Sequence, residues 1–392
     1  MFAWIGKISS TALPYMLCLL FVTLPMTSLQ HDMWDGVIVQ FAGETQNYLG
    51  IDSYFKESTW FLQYWLSLGL YEASDFLSLT YYQANTLLVA ISLLTLLGET
   101  QILATKRLGL NKGWSIVGVS LLATSPTWGV LLSSIMTFHL VCLTLGMMAV
   151  RLMHQTKLGL NVLDLALLFP VYNFPSLLAF LPLLSYLYDL TDPNLEDDTK
   201  IVRISRRTLV TSVMAGIVYY VTQVMLGPYG IYENYNHIVT FDFSGIVLVV
   251  KLSLKSMTFF LPILVVLCGL TIAWMYLQAF DKKGIPVQAP LEMSGAQSRV
   301  LLGLILLSIA AFSTYTLVGK SVAIWAMADW DGRQALLLAV PVSLLGALML
   351  QMFSRQVNGA LGQTMLGLAA IALISFLDST RKCNFQRSGH RV

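Results

Sequence analysis

The chain has 392 residues, 56% of them apolar and 11% charged, with a formal net charge of +2. Soluble domains carry about 25% charged residues, so a chain this poor in charge cannot cover a globular surface and is expected to sit in a membrane. No basic patch interleaved with aromatics occurs, which leaves nucleic acid out as a partner, and Cys18, Cys142, Cys268 and Cys383 show neither a disulfide framework nor a zinc-ligand spacing.

The first apolar run, within 11–29, follows Lys7. It has the flanks of a signal peptide. No small-x-small cleavage site precedes His31 and many more apolar runs follow, so an uncleaved first helix is expected. Further spans are predicted at 80–104, 113–126, 129–150, 160–171, 175–190, 208–227, 257–280, 299–318, 335–353 and 359–377. Many of these approach or exceed the roughly 18 apolar residues that a helix needs to cross a bilayer. The runs are continuous rather than alternating, which argues against a strand barrel. The expected fold class is an all-α polytopic membrane protein, one transmembrane domain over 1–392 with about 10–11 transmembrane helices. The linkers 191–207 and 281–298 are too short to fold alone.

Lys and Arg in short loops mark the cytoplasmic side. The loops 105–112 (Lys106, Arg107, Lys112), 151–157 (Arg151, Lys157), 197–207 (Lys200, Arg203, Arg206, Arg207) and 281–284 are therefore expected inside. Residues 30–78 hold Lys56 against seven acids and are expected outside, together with 228–256 and 319–334. For the basic loops to share one side, 113–150 and 160–190 must each go out and back. The breaks are "TSPTW" (124–128), with Pro126, and "FPVYNFPS" (169–176), with Pro170 and Pro175. Both excursions read as hairpins of short helices; one long tilted helix over 160–190 is the alternative. The hairpin reading leaves the basic tail 381–391 outside, against the charge rule.

The first outer segment is patterned. Trp34, Val37, Ile38 and Phe41 recur on one helical face, and "TWFLQYWLSLGLY" (59–71) is rich in the Trp and Tyr that settle at headgroup level. Both are expected to lie in the membrane interface. A third interfacial helix is predicted at 247–257, where Lys251 and Lys255 stand four apart among apolar residues.

This order is one span, then an acidic segment "HDMWDG" (31–36), then two interfacial helices, then hairpins opening outward. It resembles the GT-C class of integral membrane glycosyltransferases, above all the bacterial envelope enzymes that use a polyprenyl-phosphate sugar, such as O-antigen glucosyltransferases of the Gtr type. The resemblance implies an acid of the first loop as catalytic base, a role that falls on Asp32 or Asp35. The implied partners are the polyprenyl-phosphate sugar, a glycan or lipid acceptor, and membrane lipids. The implied place is the periplasmic side of a bacterial inner membrane. No cofactor beyond the lipid-linked donor is implied, and a divalent metal stays open.

Such chemistry needs a base at the acceptor proton, a carboxylate against the positive charge developing at the anomeric carbon, and cations for the leaving phosphate. Arg333 and Lys320, cations on the expected outer side, and the pair Lys251 and Lys255 are candidates for the phosphate; anchoring at the interface explains them equally. His31, Trp34, Glu57, Tyr172, Asn173 and His237 are candidates for substrate contacts. The plainer roles are a solvated loop histidine, ordinary turn chemistry at 172–173 and an aromatic-rich surface loop around His237. Asp32 and Asp35 would also serve as helix caps. The tripeptide Trp-Asp-Gly recurs at 34–36 and 330–332. His139, Asp164 and Glu99 lie in apolar runs, where charge is costly and often functional. Glu99 and Asp164 fall near predicted inner ends, within reach of solvent. Two other functions compete: an O-antigen polymerase, which favours large basic outer loops, and a transporter or flippase of lipid-linked saccharides, which favours intramembrane charges and half-length repeats.

Overall fold

A computed structural model describes residues 10–23, 26, 38–41, 45, 48–125, 127–128, 131, 133–155, 162–192, 205–230, 233, 239, 242–261, 263, 265–266, 269, 294–320 and 335–356. Among them every element is helical and no strand occurs. The helices are α1 (Leu13–Cys18), α2 (Tyr48–Glu57), α3 (Phe61–Leu77), α4 (Tyr81–Lys106), α5 (Lys112–Ala123), α6 (Ser134–Gln155), α7 (Val162–Val171), α8 (Leu177–Leu190), α9 (Arg206–Tyr219), α10 (Phe243–Ser256), α11 (Gly295–Thr316) and α12 (Ala339–Gln356).

Their starts follow local chemistry. Thr80 with Gln83 and Ser294 with Gln297 form capping boxes ahead of α4 and α11. Asn111, Ser205 and Asp242 cap α5, α9 and α10 through their side chains. The cap at Asp242 starts α10 four residues earlier than the predicted 247–257. Five stretches are long and apolar enough to cross a membrane: Tyr81–Lys106, Ser134–Gln155, Arg206–Met225, Gly295–Thr316 and Ala335–Ser354. α5 and α8 are shorter apolar helices. Predicted span 359–377 and most of 257–280 lie outside the described residues.

The core is apolar, yet several helices also bury polar side chains and turn large apolar ones outward. On α3 the buried positions are Gln63, Ser67, Tyr71 and Ser74, whereas Phe61 and Trp65 are exposed and Phe76 is 88% exposed. On α9 the buried face carries Thr208, Thr211 and Thr222, and the exposed one Leu209, Val213, Ile217 and Val224. On α4, Leu87 and Ile91 face out while Asn85, Ser92, Glu99 and Thr100 face in. Apolar patches of this extent are rare on soluble monomers. Lipid as the surrounding solvent removes the penalty, and buried hydroxyls answer to their own helices: Thr144, Thr211 and Thr222 each donate to the carbonyl four residues back. The chain reads as a membrane protein.

Contacts give the helix directions. Asn85 and Thr137 share one recess, Thr144 donates to the Ser92 carbonyl, and Arg151 meets Glu99, so α4 and α6 run the same way. His139 touches Phe174, a Cβ at Gly146 would lie 2.9 Å from Leu181, and His154 meets Ser185, so α6 and α8 also run the same way. Two parallel neighbours require a return path between them. α5 (12 residues) and α7 (10 residues) provide it. At 1.5 Å per residue, α7 and the 14-residue α8 reach only about 15 and 21 Å. The turn 172–176 thus separates two short helices, as the out-and-back reading of 160–190 expects, in place of one long helix.

The first excursion differs from expectation in its packing. α5 lies chiefly on α12, α4 and α1, and α6 on α4, α7 and α8. Small residues permit these approaches: Gly118 faces Ala347 across α5 and α12, and Gly303 faces Leu187 across α11 and α8. The helix ends then sort into two groups. One end, here the basic end, gathers 106–112, 151–155, 189–192, 205–207 and the start of α11. The other, the first-loop end, gathers 57–62, 172–176, 229–230 and 317–320.

Candidate functional site

At the first-loop end the chain turns sharply between α2 and α3. Thr59 has φ +62°, a left-handed conformation that a β-branched residue adopts at a cost of about 1–3 kcal/mol. Asn173 holds this corner. Its Nδ2 donates to the Thr59 carbonyl (3.0 Å) and its Oδ1 accepts from the Leu62 N–H (3.1 Å). The Thr59 and Trp60 N–H groups donate to the carbonyls of Lys56 and Phe55. Beneath the corner, Trp60 stands edge-on to His139, which tilts against Phe174 at 4.1 Å. Tyr172 is buried and donates to the Thr211 carbonyl on α9 (3.0 Å).

Tyr172 and Asn173, read from sequence as sugar contacts, are thereby committed to backbone. A turn sunk among helices has no water to satisfy it, and these two side chains join it to α9 and to the first segment. Asn173→Ala leaves two backbone groups unanswered and is expected to lower stability by about 2–3 kcal/mol, read by thermal unfolding in detergent. Retention of wild-type stability would remove the corner from the architecture.

The first segment touches the loop after α9 here, and that loop touches the end of α11. The Tyr229 N–H donates to the Glu57 carbonyl (3.0 Å), and the Glu57 carboxylate lies against Gly230. A Cβ at Gly230 would sit 2.5 Å from Oε2, and its φ is +61°, so space and backbone both ask for glycine. The Val239 N–H donates to the Leu317 carbonyl (2.8 Å), and the Lys320 N–H closes onto Tyr315. Glu57 and Lys320 thus belong to one belt. One turn before Glu57's neighbour Lys56, Asp52 accepts from the Lys56 ammonium and holds it above its ordinary pKa.

α10 lies beside α11. Phe243, Ile246, Val247, Val250 and Leu254 form an exposed apolar stripe, and Gly245 and Ser256 are buried. Lys251 (exposed) and Lys255 (half-buried) share the flank between these faces. His31, Asp32, Trp34, Asp35, His237 and Arg333 lie outside the described residues, as does the side chain of Asp164.

A recess of mixed polarity lies below this belt, between α3, α4 and the start of α6. Gln63, Ser67, Asn85, Ser134 and Thr137 line it beside the apolar side chains of Val39, Leu66, Leu88 and Phe138. The cavity is about 10 Å³, room for one water-sized group. Tyr71 donates to the Val39 carbonyl and stacks on Tyr81 at 4.3 Å, which closes one wall. Gln63 Nε2 donates to the Ile135 carbonyl (3.3 Å). Gln63 Oε1, Thr137 Oγ1 and both amide atoms of Asn85 have no hydrogen-bond partner among the described residues. Sequence reading passed over this recess. Its signals were the buried-face spacing of Gln63, Ser67 and Ser74 and the lone Asn85 in an apolar span.

A second polar cluster occupies the basic end. Arg151 Nε and Nη2 donate to Glu99 Oε2 (2.6 Å) and Oε1 (3.0 Å), and Nη1 donates to Gln155 (2.9 Å). Glu99 is 6% exposed, so it is paired inside the protein rather than solvated as its position suggested. Nearby, His154 Nε2 and Ser185 Oγ are 2.8 Å apart, the Thr208 hydroxyl donates to Asp189 and lies 2.9 Å from Ser185 Oγ, and Asp189 accepts from the Ser205 N–H. Arg107 lies over the Tyr188 ring at 5.0 Å. Ser185, His154 and Asp189 stand in the order of a nucleophilic triad. His154 Nδ1 and Asp189 Oδ1 are nevertheless 3.8 Å apart, beyond a hydrogen bond, and Ser185 is 0% exposed. The cluster locks α6, α8 and α9 together and presents no nucleophile.

Comparison with protein-family models, curated proteins and solved structures found no match.

Proposed function

We propose that this protein is a membrane glycosyltransferase of GT-C type, which moves a sugar from a polyprenyl-phosphate carrier to a glycan or lipid acceptor on the periplasmic face of a bacterial inner membrane. The observation that carries the reading is the gathering of the acidic first segment, the loop after α9 and the loop after α11 at the end opposite the basic linkers. Residues flanking the remaining candidates belong to that end: Val39 lines the recess, and Val239 and Lys320 lie in the belt. Asp35 stands four positions before Val39, a reach of roughly 14 Å when fully extended.

In the reaction the acceptor hydroxyl attacks the anomeric carbon. The new C–O bond forms as the bond to the phosphate oxygen breaks. The hydroxyl proton passes to the first-loop carboxylate, and the electron pair leaves with the polyprenyl phosphate. Lys251 and Lys255 flank a stripe suited to lipid contact, where ammonium groups meet a lipid-borne phosphate. The test is transfer of label from a radiolabelled polyprenyl-phosphate hexose to acceptor by the purified chain in proteoliposomes. Label that stays on its carrier, with the intact carrier moving between leaflets, overturns the reading. That outcome would favour a flippase, the second reading, which the buried Glu99–Arg151 pair supports because intramembrane charges mark transport pathways.

A further inference from the structure

Buried hydroxyls without a partner among the described residues occur singly at Thr59, Thr100, Ser120, Ser133 and Thr314, whereas in the recess between α3, α4 and α6 several unpartnered polar atoms share one space. Asn85 is 0% exposed, and its donor and acceptor atoms both lack partners among the described residues. Gln63 Oε1 and Thr137 Oγ1 line the same space in the same condition. Burying such groups unpaired costs about 1–3 kcal/mol each, and native interiors rarely tolerate several together.

The chemistry of the lining restricts what answers them. No charged side chain is among the residues that line the recess, so an ion entering it would lose hydration with no counter-charge. An apolar group would leave the amides as they are. A hydroxyl both donates and accepts, matches a carboxamide on both counts, and fits a cavity of about 10 Å³.

We propose that this recess is a hydroxyl-recognition subsite, in which the Asn85 and Gln63 amides receive one hydroxyl group of a sugar. The assignment rests on the glycosyl-transfer reading for its ligand class. The sugar belongs either to the carrier-linked donor or to the acceptor. Tyr71, through its bond to the Val39 carbonyl, joins the wall of the subsite to the segment that leads back to Asp35.

The experiment uses the full chain in nanodiscs and saturation-transfer NMR with methyl hexosides, each paired with its monodeoxy analogues. Wild type is expected to bind one parent glycoside at least about 10-fold more tightly than the analogue lacking the recognised hydroxyl. Asn85→Leu, similar in volume, is expected to bind parent and analogue equally weakly while its thermal stability holds or rises, because the unpaired amide is gone. Gln63→Leu gives the same loss of discrimination. Competition by polyprenyl-phosphate hexose assigns the hydroxyl to the donor; its failure to compete assigns it to the acceptor. Absence of glycoside binding by wild type, or unchanged discrimination in Asn85→Leu, overturns the subsite. Lowered stability of Asn85→Leu with unchanged discrimination identifies the group as an ordered water. The two readings fail separately: sugar discrimination without transfer sinks the transferase alone, and transfer with discrimination intact in Asn85→Leu sinks the subsite alone.

Discussion

Under the proposed glycosyl transfer, activity is expected to fall by about 10²–10⁴-fold when the proposed base of the first loop becomes its amide, in Asp32→Asn or in Asp35→Asn. The amide keeps the shape of the side chain. It accepts no proton from the acceptor hydroxyl and offers no negative charge to the anomeric carbon, so both contributions to the barrier are lost together. The resemblance of "HDMWDG" to the first loop of GT-C enzymes leaves two acids for one role. The variant that lowers turnover at saturating donor names the base. The variant that raises KM with turnover preserved names a positioning or sugar-binding partner. Transfer is measured with labelled carrier-linked hexose at matched protein levels. Full activity in both variants ends the assignment of catalysis to this loop.

Breaking the Glu99–Arg151 pair on one side is expected to cost about 3–5 kcal/mol. The two guanidinium contacts are bidentate and Glu99 is 6% exposed, so loss of Arg151 leaves a buried carboxylate without its counter-ion; Arg151 is half-buried, so the larger cost falls on Arg151→Met. Glu99→Gln and Arg151→Met are both expected to lower the unfolding temperature in detergent sharply. The double variant Glu99→Leu with Arg151→Met is expected to regain most of the loss, since replacing a buried pair by apolar side chains is often neutral or stabilising. Strict additivity of the single effects would show that the pair is not coupled. A different result bears on function: single variants that keep their stability but stop carrier movement across the bilayer would point to transport.

Several features were legible in the residues. The continuous apolar runs announced helices and a lipid environment, and described spans fall where the runs predicted. The basic linkers foretold which helix ends would gather, because charge avoids lipid wherever a loop can reach water. The prolines around 170–175 marked a break through local backbone chemistry, whereas the caps Asn111, Ser205 and Ser294 emerged only with the structure.

Other features depended on neighbours. Asn173 read as a candidate sugar contact or an ordinary turn residue until Thr59 and Leu62 came within hydrogen-bond reach. Glu99 looked solvated until α6 laid Arg151 beside it. The recess around Asn85 exists only because α3, α4 and α6 close on one another.

Sequence by itself determined the class of solvent, the long apolar helices and the grouping of their ends, since these follow from continuous hydrophobicity and loop charge. Tertiary structure alone decided which face of each helix is inside and which polar groups meet. In lipid, hydrophobicity no longer separates inside from outside; close packing at Gly118, Gly146 and Gly303 and the pairing of buried polar side chains make that choice instead.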